Sequence, residues 1–303
     1  MRKEENIMNY SPLRYPGGKS KLAPFISVLI KKSGIENPIY IEPFAGGAGV
    51  ALYLLLNSVV NEIVINDYDK AIYSMWRALL TETDKFISAV NNADLSIEEW
   101  KKQKKIYTER GNKYSFELGF AAFYLNRTNR SGILNKAGPI GGFDQTGNYS
   151  IDARFNKSEL VKRIREIAKN KSKIHLYNKD IRTFISGFLP KYQDRAFVYF
   201  DPPYYEKGKS LYKNFFTTKD HKEIFDKIKH LNCPWLVTYD DVPDIIDIYS
   251  DYTCKRYDLV YSLANNGKNS EIMFVSDDSL WPTEQELRKE KININLRGEH
   301  NGK

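Results

Sequence analysis

The residues best suited to chemistry are Asp201, Pro202, Pro203, Tyr204 and Tyr205. They close the run Ala196 to Phe200, AFVYF, whose aromatic and β-branched content suits a buried strand. Prolines lack an N–H and hold φ at about −65°, so the strand must stop there. A corner results that is rich in hydrogen-bond acceptors and lies beside two aromatic rings. Ligands bind at the carboxyl ends of strands in open α/β sheets. Asp-Pro-Pro alone also fits an ordinary strand stop with a solvated aspartate, so its meaning depends on what the rest of the chain brings.

A second set of residues lies upstream. The turn Phe44-Ala45-Gly46-Gly47-Ala48-Gly49 follows a strand at 38–44 and precedes a helix at 50–57. It is not a strict GxGxxG and could accept NAD, ATP or another nucleoside. It also lacks the Gly-Lys-Ser/Thr ending of a triphosphate loop. Asp67 stands 21 residues after Gly46, at the end of a strand over 62–67. That is the position from which an acidic residue bonds ribose hydroxyls. Asp180, after a third strand at 173–177, could accept from an adenine amino group. Together these strand ends describe an adenosyl cofactor held without phosphates.

The elements that must position these groups follow a βαβ rhythm. Helices are expected over 22–31 and 70–80, then over 181–188, 221–231 and 243–248, with strands at 235–239, 254–262 and 271–276. Between 81 and 173 the rhythm lapses into helices read as polar (84–90, 97–108, 115–126), a glycine-rich loop at 126–148 and a basic helix at 158–169. The expected architecture is therefore a catalytic core (10–80 and 174–282), an insert (81–173) and a poorly ordered charged tail (283–303). Residues 70–177 hold 20 Lys and Arg against 11 Asp and Glu, while the whole chain has 46 against 38. The insert region thus carries the entire positive excess, as a surface facing a polyanion would, although a solvated basic face has the same composition. No apolar run is long enough to cross a membrane, and no secretory signal is read, so a cytoplasmic protein is expected. Cys233 and Cys254 read as buried free thiols, and the four histidines show no metal-ligand spacing.

Five motifs in one order carry a resemblance: Tyr15-Pro16-Gly17-Gly18-Lys19, Glu42-Pro43-Phe44-Ala45-Gly46-Gly47, Asn66-Asp67, Tyr124-Leu125-Asn126-Arg127 and Asp201-Pro202-Pro203-Tyr204. The chain resembles the Dam-like, α-class DNA adenine-N6 methyltransferases over roughly residues 10 to 276. The resemblance implies S-adenosylmethionine as cofactor and a Rossmann-like, mixed, mostly parallel seven-stranded sheet with an inserted target-recognition domain. It implies that Tyr15, Lys19, Asp67 and Asp201 contact the cofactor over a floor of Phe44, Ala45 and Gly46. Glu42, Asp180 and Ile181 are taken as its flanks, and no metal is called for. Asp201, Pro202, Pro203 and Tyr204 become the catalytic corner. Acceptors there would draw adenine N6 toward sp³ geometry and free its delocalised lone pair for the methyl, with Tyr204 stacked on a base flipped from double-stranded DNA.

In the insert, Arg127, Asn129, Arg130 and Lys136 are the candidate DNA contacts, mostly to phosphates. Their loop departs from the family's aromatic-Asn-Gly segment, so the family's GATC target is not carried over. Lys268 to Glu271 could close over the base, but a polar hairpin tip is the plainer reading. The expected partners are DNA and, genetically, a restriction endonuclease, with the protein a monomer. Rival readings are an RNA or protein amine methyltransferase, a catalytically silent nucleic-acid-binding relative and an NAD enzyme. The last leaves Asp-Pro-Pro-Tyr and the basic insert unexplained.

Overall fold

The computed structural model describes residues 10–14, 19–109, 111–205, 216–258 and 271–299. Its strands are β1 (Ile39–Glu42), β2 (Glu62–Asn66), β3 (Ile174–Tyr177), β4 (Ala196–Phe200), β5 (Trp235–Asp240), β6 (Cys254–Asp258), β7 (Glu271–Val275) and β8 (Asn295–Glu299). They form one sheet in the order β3-β2-β1-β4-β5-β7-β6-β8. Every residue of β1, β4, β5 and β7 is buried. Strands covered on both faces read as continuous apolar runs, which is why these were legible. β1 pairs parallel with β4 (Ile41 opposite Val198), and β4 parallel with β5 (Phe200 opposite Val237). Chain order reverses between β1 and β4, the switch point where α/β sheets open a crevice.

The helices are α1 (Ala23–Lys32), α2 (Gly49–Leu56), α3 (Lys70–Thr81), α4 (Thr83–Asn91), α5 (Ile97–Thr108), α6 (Phe116–Thr128) and α7 (Lys157–Lys169). After β3 come α8 (Ile181–Gly187), α9 (Thr218–Ile228), α10 (Pro243–Ile248) and α11 (Glu284–Lys289).

The chain divides into two compact units. One comprises Met1–Ser20, Ala45–Tyr53 and Ile65–Lys179; the other comprises Lys21–Phe44, Leu54–Val64 and Asp180–Lys303. The first therefore extends on both sides of 81–173. Its centre is α6, buried from Leu118 to Asn126, which corrects the reading of 115–126 as a polar helix. Phe86 packs edge-on against Phe116, Phe120 and Phe123 there. Gly119 lets α6 approach α3 so closely that a Cβ would lie 2.5 Å from the Ser74 carbonyl oxygen.

The second unit corrects two expectations about the tail. Residues 283–299 are not a loose appendage: Thr283 and Glu286 form a reciprocal capping box that starts α11. Lys32 Nζ lies 3.1 Å from Glu286, and Lys31 Nζ 3.1 Å from Glu290. β8 then pairs antiparallel with β6, Arg297 opposite Arg256, and makes the sheet eight-stranded rather than seven-stranded. NLRGE lacks an alternating apolar pattern because an edge strand is held through its backbone. Both cysteines are buried free thiols.

Candidate active site

In the second unit, β4 delivers Asp201 and the prolines, and β5 supplies what holds the carboxylate. Thr238 Oγ1 donates to Asp201 Oδ1 at 2.9 Å. Since a carboxylate only accepts, the Tyr199 hydroxyl, 2.9 Å from Thr238 Oγ1, completes the chain by donating to the threonine. Tyr199 and Thr238 are fully enclosed, so this relay fixes the plane of the carboxylate. Pro202 is buried and Asp201 half-buried.

The next two residues are tied to the β5–β7 ladder. Asp240 and Glu271 stand directly opposite each other in the antiparallel register. The Tyr205 backbone N–H donates to Asp240 Oδ1 at 2.9 Å, and the Tyr204 hydroxyl donates to Glu271 Oε1 at 2.8 Å. Burial, and then the charges of Asp201 and Glu271, hold the Tyr204 phenol far above its ordinary range. Tyr204 is therefore a permanent neutral donor and no base. At the end of β1, the Tyr40 hydroxyl donates to Glu42 Oε1 at 3.1 Å, and the Phe44 ring meets Phe216 edge-on. Asp180 caps α8, accepting from the Arg182 N–H at 2.9 Å, and lies 3.6 Å from the Arg182 guanidinium; buried Ile181 follows.

In the first unit, the glycine turn wraps on Asp67. Gly46, at φ +47°, donates its N–H to Asp67 Oδ2 at 2.9 Å, and the Asp69 N–H donates to Oδ1 at 2.8 Å. Burial, followed by the charge of Asp69, pushes the Asp67 carboxyl up to about 7. The Ala45 N–H donates to the Asn66 carbonyl at 2.9 Å, and the indole of Trp76 donates to the Gly46 carbonyl at 2.9 Å. Lys19 is buried at the start of a short 3₁₀ turn, and Tyr15 lies outside the described residues. Tyr68, next to Asp67, presents a ring that is 61% exposed.

The insert cations sort into two kinds. Arg130 and Lys136 are exposed, on the same loop as the exposed rings of Phe143 and Tyr149. Asn129 is not available to DNA: it is fully buried, its amide donating to the Ile133 carbonyl and accepting from the Trp100 indole, each at 2.7 Å. Arg127 donates through Nε to the Arg154 carbonyl at 2.7 Å. Its neighbour Asn126 brackets Arg14, accepting from its N–H and donating to its carbonyl. Arg163 donates to the Ser11 carbonyl at 3.2 Å. The guanidiniums of Arg14, Arg127 and Arg163 are thus held by main-chain carbonyls, the charge of Arg154 lies close to that of Arg127, and among the described residues none of the four has a carboxylate partner. Burial, then Arg163, Arg14 and Arg154 around it, lowers Arg127 to about 9.

This geometry is accompanied by a match of residues 15–263 to the family of D12 class N6 adenine-specific DNA methyltransferases. The chain belongs to that family. This adenine methyltransferase is 28% identical over 228 residues to the Type II methyltransferase M.MjaIII of Methanocaldococcus jannaschii, covering 70% of this chain and 74% of the other. It is 23% identical over 292 residues to the Type II methyltransferase M1.LlaDCHI of Lactococcus lactis subsp. cremoris, covering 89% and 96%. Among solved structures, the rRNA methyltransferase AviRa of Streptomyces viridochromogenes overlays 88% of both chains with 13% identity and a TM-score of 0.42.

Within the methyltransferase, the second unit brings together Glu42, Phe44, Asp201, Pro202, Pro203 and Tyr204, and the first brings together Ala45, Gly46 and Asp67. Sequence reasoning missed Tyr199, Thr238, Asp240 and Tyr257. It read Glu271 as a hairpin tip, and the rest of that segment, 259–270, lies outside the described residues. No local signal marks these five, because their roles arise from strand register.

Proposed function

We propose that this chain methylates N6 of an adenine flipped out of double-stranded DNA at a specific sequence, with S-adenosylmethionine as methyl donor. The observation that carries the reading is the Tyr199–Thr238–Asp201 chain, which holds a carboxylate in one orientation at a corner that two prolines keep rigid. The residues present fit the cofactor. Asp67 offers a carboxylate to paired hydroxyls, the Gly46 turn is closed on it, and the turn has no lysine for a triphosphate. Asp67, Gly46 and Ala45 would hold the nucleoside, with the exposed Tyr68 ring next to Asp67 in the chain. When bound, the cofactor supplies an electrophilic sulfonium methyl.

The chain's own residues do the remainder. Asp201 and the Pro202 carbonyl accept the two N6 hydrogens, localise the nitrogen lone pair and stabilise the positive charge that develops there. Tyr204 stacks on the base, and the Thr238 relay removes the need to orient Asp201 during the reaction. The proton leaves N6 after methyl transfer, toward the Asp201 carboxylate and then water. Arg130 and Lys136, with Phe143 and Tyr149 farther along the same loop, suit a nucleic-acid strand that offers both phosphates and ring faces. Arg127, Arg14, Arg154 and Arg163 suit backbone phosphates. The names of the two relatives support a place beside a restriction endonuclease. No helix among the described residues is long and apolar enough to cross a membrane, and we read the protein as a cytoplasmic monomer.

Labelled S-adenosylmethionine incubated with the protein and plasmid DNA, RNA or a protein extract tests this. Label recovered in N6-methyladenine from DNA is the expected result. Label confined to RNA or protein overturns it, and cofactor binding with no transfer favours a silent binding relative.

A further inference from the structure

Glu271 joins two tyrosines that the reaction scheme above does not connect. It is 7% exposed and begins β7, directly opposite Asp240 on β5 and Tyr257 on β6. Its Oε1 accepts the Tyr204 hydroxyl at 2.8 Å, and its Oε2 accepts the Tyr257 hydroxyl at 2.5 Å. Two acids facing each other across a ladder repel, and burying one costs more unless donors satisfy it. Tyr257 is fully buried and spends its hydroxyl on this carboxylate. The Tyr205 N–H does the same for Asp240. The arrangement costs stability unless it serves the segment that both acids grip, which is Tyr204-Tyr205.

We propose that Glu271 is a positioning residue for methyl transfer, its carboxylate setting the plane of the Tyr204 ring and enriching that ring in electrons. The inference rests on the reading that Tyr204 stacks on the target adenine. A phenol donating to a buried carboxylate at 2.8 Å is polarised toward phenolate. An electron-richer ring face attracts the positive charge that builds on the purine during transfer more strongly than it attracts the neutral base. Glu271 therefore acts mainly on the chemical step. Tyr257, donating to the other oxygen, prevents the carboxylate from rotating away.

The experiment is a double-mutant cycle in the full chain, with tritiated S-adenosylmethionine and plasmid DNA, reading kcat, the KM for DNA and the melting temperature. Glu271→Gln is expected to lower kcat at least about tenfold while the KM for DNA stays within about threefold. In a Tyr204→Phe background the same change is expected to cost nothing further, since its route to the substrate is gone. Tyr257→Phe, which leaves the carboxylate in place, keeps the test alive if Glu271→Gln does not fold. It is expected to lower kcat about threefold, and not at all beside Tyr204→Phe. Wild-type kcat in both single variants, or losses that multiply with that of Tyr204→Phe, overturns the inference. A wild-type protein that methylates no DNA overturns the underlying reading instead.

Discussion

The acceptor role proposed for Asp201 depends on what constrains it. A freely rotating aspartate would have to be ordered during each turnover, whereas the Thr238 hydroxyl and the tyrosine behind it have already done so. Asp201→Ala is expected to abolish transfer while retaining most DNA affinity, read by methylation and by filter binding; equal loss of both would show that the acceptor and binding roles are not separate. Thr238→Val keeps the shape and removes the donor, and is expected to lower kcat by about one to two orders of magnitude, less than removing the carboxylate itself. His221 behaves differently. It is fully buried, with Nδ1 at 3.0 Å from the Tyr239 hydroxyl and, among the described residues, no hydrogen-bond partner at Nε2. Burial lowers it from 6.5 to about 4, against the opposing charges of Asp240 and Asp220. The unfolded chain therefore takes up this proton first. The histidine's contribution is complete above pH 6.5 and is lost as pH falls toward 4, by about 3 kcal/mol in total. His221→Gln is expected to flatten the melting temperature over that window relative to wild type.

At the scale of elements, one glycine decides how the first unit packs. Alanine is the better helix former by about 1 kcal/mol, so at an exposed site Gly119→Ala would stabilise α6. Here the added Cβ would meet the Ser74 carbonyl at 2.5 Å and the Met75 nitrogen at 3.0 Å. These are backbone atoms and cannot rotate aside. Gly119→Ala is therefore expected to destabilise by about 1–3 kcal/mol, seen as a lower urea midpoint. The same packing shows why α6 is a core helix and not a polar one. Its sequence, FELGFAAFYLNRT, is apolar on all sides with a few polar groups, and those groups find buried partners: Tyr124 donates to the Asp94 carbonyl and Thr128 to the Tyr124 carbonyl.

At the scale of the whole molecule, charge is uneven by design of the chain. The excess of nine positive charges over 70–177 includes three of the four clustered arginines, and Arg14 reaches the group from outside that range. Each phosphate neutralised releases counterions, so Arg154→Ala and Arg163→Ala are each expected to reduce the slope of log K against log salt by about one. They should weaken all DNA sequences alike and leave kcat at saturating DNA unchanged. A loss confined to one sequence would mean that they read bases. Arg127→Ala is less informative, because its guanidinium also holds the Arg154 carbonyl.

The sequence by itself pointed to the acceptor corner, the glycine turn with Asp67 and a basic stretch, and it determined the family. Those features are local: a strand stop made by two prolines, a turn that needs left-handed φ at Gly46, a fixed spacing to an acid, and a charge imbalance all survive when the chain is read as a string. Only the tertiary structure decided which side chains serve that corner. Thr238, Asp240, Tyr257 and Glu271 lie 37 to 70 residues beyond Asp201. They reach it because β5, β7 and β6 are neighbours with one particular register. A slip of one residue would turn each of them to the opposite face. The same reason hid the burial of Asn129 and the eighth strand: both depend on partners remote in the chain, and neither leaves a pattern of its own.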